Sequence, residues 1–356
     1  MVSMNTAQRT VAILLALNAL SALHAIANPQ HEPIEVRTEF TKDAVVTTVA
    51  HNAMGTTFHI TLLGKPGKDS PASLARVADQ AFVEIDALES RISRWRSDSQ
   101  TSRVNKYAHE KPVRVTPNVA AFFLDAQRIS TETGGAFDCT VGPLIELWRP
   151  ALELGQLPTQ PKIDNALQQI GFDHVEIDAA ERSVRFKQKG IRLDFGAIGK
   201  GHALDVAAEV LAVYGVEVAL LDGGASTYLA TGIPPGQLGW TVRIHPPYNK
   251  DELLAEVVLG KGAFSTSTNA GTEFVVEGRS YGHILDPRTG WPAQGKRVAM
   301  SLTKSAAEAD ALSTAFYVMD IESIRRYCED HSDVRAMIVP KDEKNMIRIN
   351  FENGED

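Results

Sequence analysis

Asp310 and Thr314 stand four residues apart in the segment ADALSTAF, and both side chains end in oxygen. Residues at this spacing share one face of a helix, so the carboxylate and the hydroxyl would be presented together. Hard oxygen ligands suit Mg²⁺, which fills the rest of its shell with water and substrate phosphate. The pair predicts a magnesium site. The alternative is an exposed aspartate beside a threonine that bonds back to its own helix.

A glycine-rich loop in LDFGAIGKGHALD places Gly196, Gly199 and Gly201 between a predicted strand and a predicted helix. Backbone N–H groups in such a loop can approach an anion, and the helix N-terminus adds partial positive charge. Lys200 would neutralise a phosphate oxygen at the same place. The spacing fits neither the dinucleotide fingerprint nor the Walker loop, so a tight strand-to-helix turn is the alternative.

Three further segments carry candidate groups for a ligand site. His283, in YGHILDPRTGWP, is a candidate base, because a neutral imidazole can take a proton from an incoming hydroxyl. Asp138 lies in GGAFDCTVGPLIELW, where glycines would gather backbone amides in a loop. Trp95, in ESRISRWRSDS, offers a ring that can stack on an aromatic ligand. The alternatives are a strand-end histidine, an irregular connection and a core tryptophan.

The elements that must position these groups are short strands and amphipathic helices. Runs of β-branched and aromatic residues predict strands that include 55–63, 191–195, 240–244 and 298–303. Apolar residues at every third or fourth position predict helices over 71–92, 117–133, 305–319 and 321–329, and one from the glycine loop to residue 213. Strands outnumber helices and turns join many of them. We therefore expect an α+β fold with mixed, largely antiparallel sheets and packed helices.

Composition excludes several classes of protein. The chain has 356 residues, with 36 Lys+Arg against 44 Asp+Glu and a net charge of -8. Apolar residues make up 44%, enough for a packed core, and no basic run supports nucleic-acid binding. Two cysteines, Cys139 and Cys328, cannot build a disulfide framework or a thiolate zinc site, and free thiols are expected.

The N-terminal segment predicts export. Arg9, an apolar run over 11–25 and the small-residue end Ala25-Ile26-Ala27 indicate a cleaved signal peptide at 1–27. An uncleaved anchor is the alternative, although the run is shorter than the roughly 20 residues of a bilayer span. Residues 28–50 are expected to form a polar lead-in and 51–356 the functional domain. We expect no transmembrane segment in the mature chain and a periplasmic or cell-envelope location.

Six segments occur in an order that resembles the motifs of the ApbE family, the FAD:protein FMN transferases: MGTTFHITL, SRWRSDSQTSRVN, GGAFDCTVGPLIELW, LDFGAIGKGHALD, YGHILDPRTGWP and DALSTAF. The resemblance spans roughly residues 54–317. It implies an ApbE-like fold and Mg²⁺-dependent transfer of FMN from FAD to a threonine of an acceptor protein, with release of AMP. The implied acceptor is a respiratory or electron-transfer flavoprotein.

The same resemblance assigns roles to individual positions. It implies flavin contacts at Met54, Trp95, Ala136, Phe137, Asp138, Asp194, Lys200 and Ile284. It implies metal contacts at the Ala197 carbonyl, Asp310 and Thr314, with Ser313 as a further contact. His283 is the implied base, and Lys200 and Asp310 complete the implied catalytic set.

Two segments depart from the family pattern. STSTNAGTEF carries Thr268-Asn269 where a Gly-Asp pair is common, and LDGGASTYLATG carries Ala225-Ser226 where an acidic or amide residue is common. Both bear on nucleotide or acceptor contacts and leave the reaction class unchanged. The open alternatives are an FAD pyrophosphatase that uses water as nucleophile, and an exported flavin-binding protein without turnover. A flavin oxidoreductase is disfavoured because no second cofactor motif is found.

Overall fold

The computed structural model describes residues 35–41, 43–245, 253, 255–276, 278–341 and 345–351, so the signal predicted for 1–27 lies outside the described residues. Within these ranges the strands are β1 (Glu35–Phe40), β2 (Val45–Ala53), β3 (Thr56–Gly64), β4 (Val113–Arg114), β5 (Val175–Asp178), β6 (Ser183–Phe186), β7 (Ala219–Gly223), β8 (Thr227–Ala230), β9 (Trp240–Ile244), β10 (Ala255–Leu259), β11 (Gly262–Ser267), β12 (Phe274–Val276), β13 (Arg279–Tyr281), β14 (Lys296–Thr303), β15 (Arg335–Pro340) and β16 (Ile347–Ile349). The helices are α1 (Pro71–Ile92), α2 (Gln100–Tyr107), α3 (Pro117–Glu132), α4 (Gly142–Leu154), α5 (Gln160–Leu167), α6 (Gly199–Val213), α7 (Ala306–Val318) and α8 (Ile321–Asp330).

Nine strands form the main sheet, in the order β1-β2-β3-β7-β8-β11-β14-β15-β16. Every neighbouring pair in it is antiparallel. Alternation along β3 sends Phe58, Ile60 and Leu62 into the core, where all three are fully buried. Smaller sheets pair β9 with β10, β12 with β13, and β6 with both β4 and β5. The expected α+β fold with largely antiparallel sheets is confirmed.

Helices α1, α6 and α7 pack against the main sheet, and α6 contacts both α1 and α7. The α1 helix begins at Ser70, whose hydroxyl accepts the Ser73 N–H, and Pro71 occupies its first turn. Its buried face then recurs at helical spacing, as the sequence predicted, through Leu74, Ile85 and other residues. No described helix is both long and apolar enough to cross a membrane.

The contact between α6 and α7 depends on the absence of a side chain at Gly201. A methyl group there would overlap the Ala306 carbonyl. We expect Gly201→Ala to lower the free energy of unfolding by about 1–3 kcal/mol, the usual cost of overpacking, as measured by urea denaturation. Gly199→Ala is the matched control, because its Cβ would meet only Ile92 Cδ1 at 3.6 Å, an ordinary contact. Equal losses in both variants would contradict this account of the helix contact.

The lead-in predicted for residues 28–50 differs from the structure. Residues 35–40 form β1, which pairs with β2 in a register that places Glu35 opposite Ala50. The polar composition of β1 reflects its place at the edge of the sheet, where solvent remains on one side. The sheet therefore begins well before residue 51, the predicted boundary.

The strand predicted over residues 191–195 is also wrong. This stretch makes only an isolated bridge, between Arg192 and Val141. The side-chain amide of Asn105 takes the place of a partner strand, because it accepts the Leu193 N–H at 2.7 Å and donates to the Leu193 carbonyl at 2.9 Å.

Sequence reasoning also missed the helices α2, α4 and α5. The α4 helix occupies part of the segment that was interpreted as an irregular connection.

Candidate active site

Asp310 is the buried charge at the centre of the candidate site. It lies on α7, and only 4% of its surface is exposed. Its carboxylate accepts hydrogen bonds from the Gly201 N–H at 3.1 Å and from the Thr227 hydroxyl at 3.2 Å. Lys200 Nζ lies 3.5 Å from the same carboxylate. Because a buried carboxylate is costly unless it is paired, Lys200 and the first turn of α6 are what stabilise it.

The glycine loop does not present a free set of amides to an anion. The N–H groups of its three glycines are already engaged: that of Gly196 donates to Asp194 Oδ1, that of Gly199 to the Phe195 carbonyl and that of Gly201 to Asp310 Oδ2. The anion at the N-terminus of α6 is thus the carboxylate of Asp310 itself. Since these glycine N–H groups are not free to bind an anion, the side chain of Lys200 is the group in this loop that can neutralise a phosphate.

A chain of hydroxyl groups leads away from the buried carboxylate. Thr227 Oγ1 lies 3.0 Å from Ser265 Oγ, and Ser313 donates to Ser265 Oγ at 3.2 Å. Ser267 Oγ lies 2.8 Å from Ser313 Oγ and 3.1 Å from Thr314 Oγ1. Sequence reasoning missed the three members on β8 and β11. The available signal was the succession of hydroxyl residues in the segment AFSTST.

The donor atoms of this cluster fit Mg²⁺. Asp310 supplies a carboxylate, and Thr314 supplies a hydroxyl whose hydrogen bond to the Asp310 carbonyl is long, at 3.4 Å. The threonine therefore does bond back to its helix, although weakly. Within the described residues, no three His, Cys, Asp or Glu side chains are grouped to hold a metal ion. A site with one carboxylate still suits Mg²⁺, since this ion keeps several waters and also binds substrate phosphate.

His283 lies just beyond β13, with its side chain exposed. Its Nδ1 atom lies 2.6 Å from Thr272 Oγ1. The side chain reaches solvent, but the protein that surrounds it desolvates it in part. This partial desolvation, and then the positive charge of Lys200, lower the pKa of His283 below its ordinary 6.5. A lowered pKa favours the neutral imidazole at neutral pH, which is the form that a general base requires.

Contacts from two other parts of the chain hold the segment that carries His283. The side-chain oxygen of Asn269, a residue that is 3% exposed, accepts the Ile284 N–H at 3.0 Å. The indole N–H of Trp148, on α4, donates to the Gly290 carbonyl at 2.8 Å. Asn269 stands where the family pattern commonly has aspartate. At this position, where the sequence departs from the family pattern, the buried side-chain amide of Asn269 therefore lies next to the segment of the candidate base His283.

Asp138 is buried, and its hydrogen bonds come from its own loop and from α3. It accepts hydrogen bonds from the Thr140 N–H at 2.7 Å and hydroxyl at 2.6 Å, and from Ser130 at 3.3 Å. Burial raises the pKa of Asp138, although these hydrogen bonds oppose the rise. Such a group suits hydrogen bonding to a nucleotide more than metal binding. Cys139 and Cys328 are both buried free thiols, as expected.

Arg94 joins two residues that the family resemblance assigns to flavin binding. Its Nε lies 2.6 Å from Asp194 Oδ2, and the Arg94 side chain is 9% exposed. Its guanidinium also stacks over the Trp95 ring, 4.3 Å from the centroid, and Arg149 approaches the same ring at 5.2 Å. Trp95 is 72% exposed, so the core interpretation of this tryptophan is wrong. Sequence reasoning missed Arg94, because nothing local marks it as paired.

Loss of one partner of the Arg94–Asp194 pair should destabilise the protein. We expect Arg94→Met to lower the free energy of unfolding by about 3 kcal/mol, because it leaves the mostly buried carboxylate of Asp194 without its partner charge. Urea denaturation measures this loss. Arg114→Met is the control, since its ion pair with Glu181 is exposed and worth less than about 1 kcal/mol. If the two variants lost the same stability, the Arg94–Asp194 pair would be worth no more than an exposed ion pair.

Comparison with known proteins decides the family. The model of the ApbE family matches residues 54–338. The chain belongs to the ApbE family. An FAD:protein FMN transferase of Vibrio cholerae is 29% identical over 294 residues, which cover 82% of this chain and 86% of that protein. The Escherichia coli K12 protein of the same name is 28% identical over 286 residues, which cover 79% and 80%.

Solved structures of the ApbE family share this fold. The ApbE protein of Thermotoga maritima aligns with a TM-score of 0.75 at 27% identity, over 85% of this chain and 97% of that one. The flavin transferase ApbE of Vibrio cholerae aligns with a TM-score of 0.73 at 25% identity, over 89% and 98%. The ApbE-like fold expected from the sequence is confirmed.

Other positions assigned by the ApbE resemblance lie on separate elements. Met54 occupies the turn between β2 and β3, and its N–H donates to Glu89 of α1 at 2.8 Å. The side chains of Ala136 and Phe137 are buried in the core, and their N–H groups donate to the carbonyl and the hydroxyl of Thr133. Ala197 lies in the loop before α6. Contacts of these positions with a flavin or a metal stay predictions.

Proposed function

We propose that this chain transfers the FMN half of FAD to a threonine of an acceptor protein and releases AMP. The observation that carries the proposal is Lys200, which lies 3.5 Å from the buried carboxylate of Asp310 and whose charge helps to lower the pKa of His283. A cation that can neutralise phosphate and a neutral imidazole that can accept a proton suit the transfer of a phosphoryl group to a hydroxyl. The name FAD:protein FMN transferase, carried by the Vibrio cholerae and Escherichia coli relatives, supports the same reaction.

The proposed step makes one phosphorus–oxygen bond and breaks another. The threonine oxygen attacks the phosphorus of the FMN half, and the bond from that phosphorus to the AMP oxygen breaks. His283 takes the hydroxyl proton at Nε2, because its Nδ1 is occupied by the contact with Thr272. Lys200 stabilises the charge that develops on the departing AMP phosphate. Asp138 and Asp194 hold the nucleotide in place.

Asp310, Thr314 and the Ala197 carbonyl are the proposed ligands of Mg²⁺, which when bound polarises phosphate oxygens as a Lewis acid. The contribution of the chain is to hold a buried carboxylate in one orientation. Gly201 and Thr227 do this through their hydrogen bonds to Asp310. A carboxylate fixed in advance does not have to be reorganised when the substrate arrives.

The proposed setting of the reaction is outside the cytoplasmic membrane. The apolar run over 11–25 and its small-residue end support a cleaved signal peptide and a periplasmic location. The proposed acceptor is a flavoprotein of a respiratory or electron-transfer system that carries the target threonine.

One experiment separates the proposed reaction from its alternatives. The full chain is incubated with FAD, Mg²⁺ and a threonine-containing acceptor protein, and the acceptor is analysed by mass spectrometry while AMP is quantified. We expect a mass gain of one FMN less one water, with one AMP per acceptor modified. AMP and free FMN without modified acceptor would indicate a pyrophosphatase. Bound FAD without AMP would indicate a flavin carrier.

A further inference from the structure

We propose that Thr272 is a positioning residue that sets the tautomer of His283, with the proton on Nδ1 and the lone pair on Nε2. The inference deepens the proposed function, because it rests on His283 as the base of that reaction. It concerns a residue in the segment STSTNAGTEF, which departs from the family pattern. It gives this segment a role at the site, namely to orient the imidazole of His283.

Two short contacts of one hydroxyl group are the starting observation. Thr272 Oγ1 lies 2.8 Å from the Asn269 carbonyl oxygen and 2.6 Å from His283 Nδ1. A threonine hydroxyl has one proton to donate and lone pairs to accept. The Asn269 carbonyl oxygen can only accept. A neutral imidazole nitrogen is either a donor or an acceptor, depending on the tautomer.

Only one assignment of the protons turns both contacts into hydrogen bonds. If the Thr272 hydroxyl donated to Nδ1, two oxygen atoms would face each other at 2.8 Å with no proton between them, which is repulsive. If the hydroxyl donates to the Asn269 carbonyl, its lone pair is free to accept a proton from Nδ1–H. His283 therefore carries its proton on Nδ1, and Nε2 is left as the basic nitrogen.

Asn269 makes hydrogen bonds to both segments that form this contact, the one with Thr272 and the one with His283. Its carbonyl also accepts the Thr272 N–H, at 3.0 Å, and so closes the turn that presents the hydroxyl. Its buried side chain accepts the Ile284 N–H, directly after His283. A methyl group at Gly282 would overlap the Asn269 side chain, so the strand end lies tightly against it. The Thr272–His283 distance is thus set by one buried residue.

The effect of the hydroxyl should be visible because the imidazole ring is otherwise exposed. Within the part of the chain that the structure describes, the His283 ring has its hydrogen bond with Thr272. An unconstrained histidine side chain favours the proton on Nε2, the tautomer in which the outer nitrogen cannot act as base. Removal of the Thr272 hydroxyl should therefore move part of the population into the unproductive form.

The test compares the unsubstituted full chain with Thr272→Val and Thr272→Ser. Two-bond ¹H–¹⁵N correlation spectra of histidine-labelled protein, at a pH where His283 is neutral, report which nitrogen carries the proton. We expect Nδ1–H in the unsubstituted chain and in Thr272→Ser, and a shift towards Nε2–H in Thr272→Val. The transfer rate should fall about tenfold or more in Thr272→Val and recover in Thr272→Ser, with the KM for FAD unchanged.

The outcomes separate this inference from the proposed function. An Nε2–H tautomer in the unsubstituted chain overturns the inference, and that measurement needs no variant to fold and no acceptor. An unchanged Nδ1–H signal in Thr272→Val overturns it as well. The Nδ1–H signal together with an absence of FMN transfer would support the tautomer assignment and count against the proposed reaction instead.

Discussion

Replacement of His283 by alanine should slow FMN transfer by about 10²–10⁴-fold, the range that general base assistance supplies. The affinity for FAD should stay near that of the unsubstituted chain, because the exposed imidazole is assigned to the incoming hydroxyl and not to the nucleotide. The transfer rate is measured as FMN attached to the acceptor at saturating FAD, and FAD affinity as quenching of flavin fluorescence. A variant that transfers FMN at the normal rate would remove His283 from the reaction.

The pH profile supplies a second readout of the same residue. A base acts in its neutral form, so the transfer rate should rise with pH as His283 loses its proton. Because desolvation and Lys200 lower its pKa, the midpoint of the rise should lie below the ordinary value of 6.5. His283→Ala should lose this rise. His109→Ala, in the turn before β4, should keep both the rise and the rate.

Asp310→Asn should reduce the transfer rate by about 10³-fold, which corresponds to roughly 4 kcal/mol of lost charge stabilisation. Asparagine keeps the shape of the side chain and can still accept the Gly201 N–H, so the fold should persist. What is lost is the negative charge that pairs with Lys200 and that the proposed metal site requires. The measurement is the transfer rate across a titration of Mg²⁺, in which the variant should show little response.

Glu308→Gln provides the matched control on the same helix. Glu308 lies 3.7 Å from Arg128 and takes no part in the hydrogen bonds of Asp310. Burial raises the pKa of Glu308, and the charge that glutamine would remove is paired with Arg128 and not with Lys200. Near-normal transfer and a normal Mg²⁺ response are expected. A full Mg²⁺ response in Asp310→Asn would contradict the assignment of the metal to Asp310.

Much of the fold could be predicted because its signals are local. The start of α1 is marked by Ser70 and Pro71, and α3 ends where Gly134 and Gly135 adopt positive φ. The sequence pattern also located β3, β9 and α8 closely. In each case the periodicity and the terminal residues act within a few positions along the chain, so no distant contact is needed to interpret them.

The errors have the opposite cause. Residues 191–195 look like a strand, yet their partner is the Asn105 side chain, which lies 88 residues away from Leu193. Likewise, β1 is polar because it is an edge strand, and its pairing with β2 is not visible in its composition. Hydrogen-bond partners that come from distant parts of the chain decide such segments, and local propensity cannot name them.

For the candidate site, too, the sequence indicated the residues, and the tertiary structure decided how they are paired. The order of six motifs was sufficient to indicate the family and to nominate Lys200, His283 and Asp310, because residue type and spacing carry that information. Folding was needed to bring Lys200 within 3.5 Å of Asp310, from 110 residues away, and to engage the glycine amides internally. Protonation and pairing depend on which atoms come within about 3 Å, and long-range packing sets those distances.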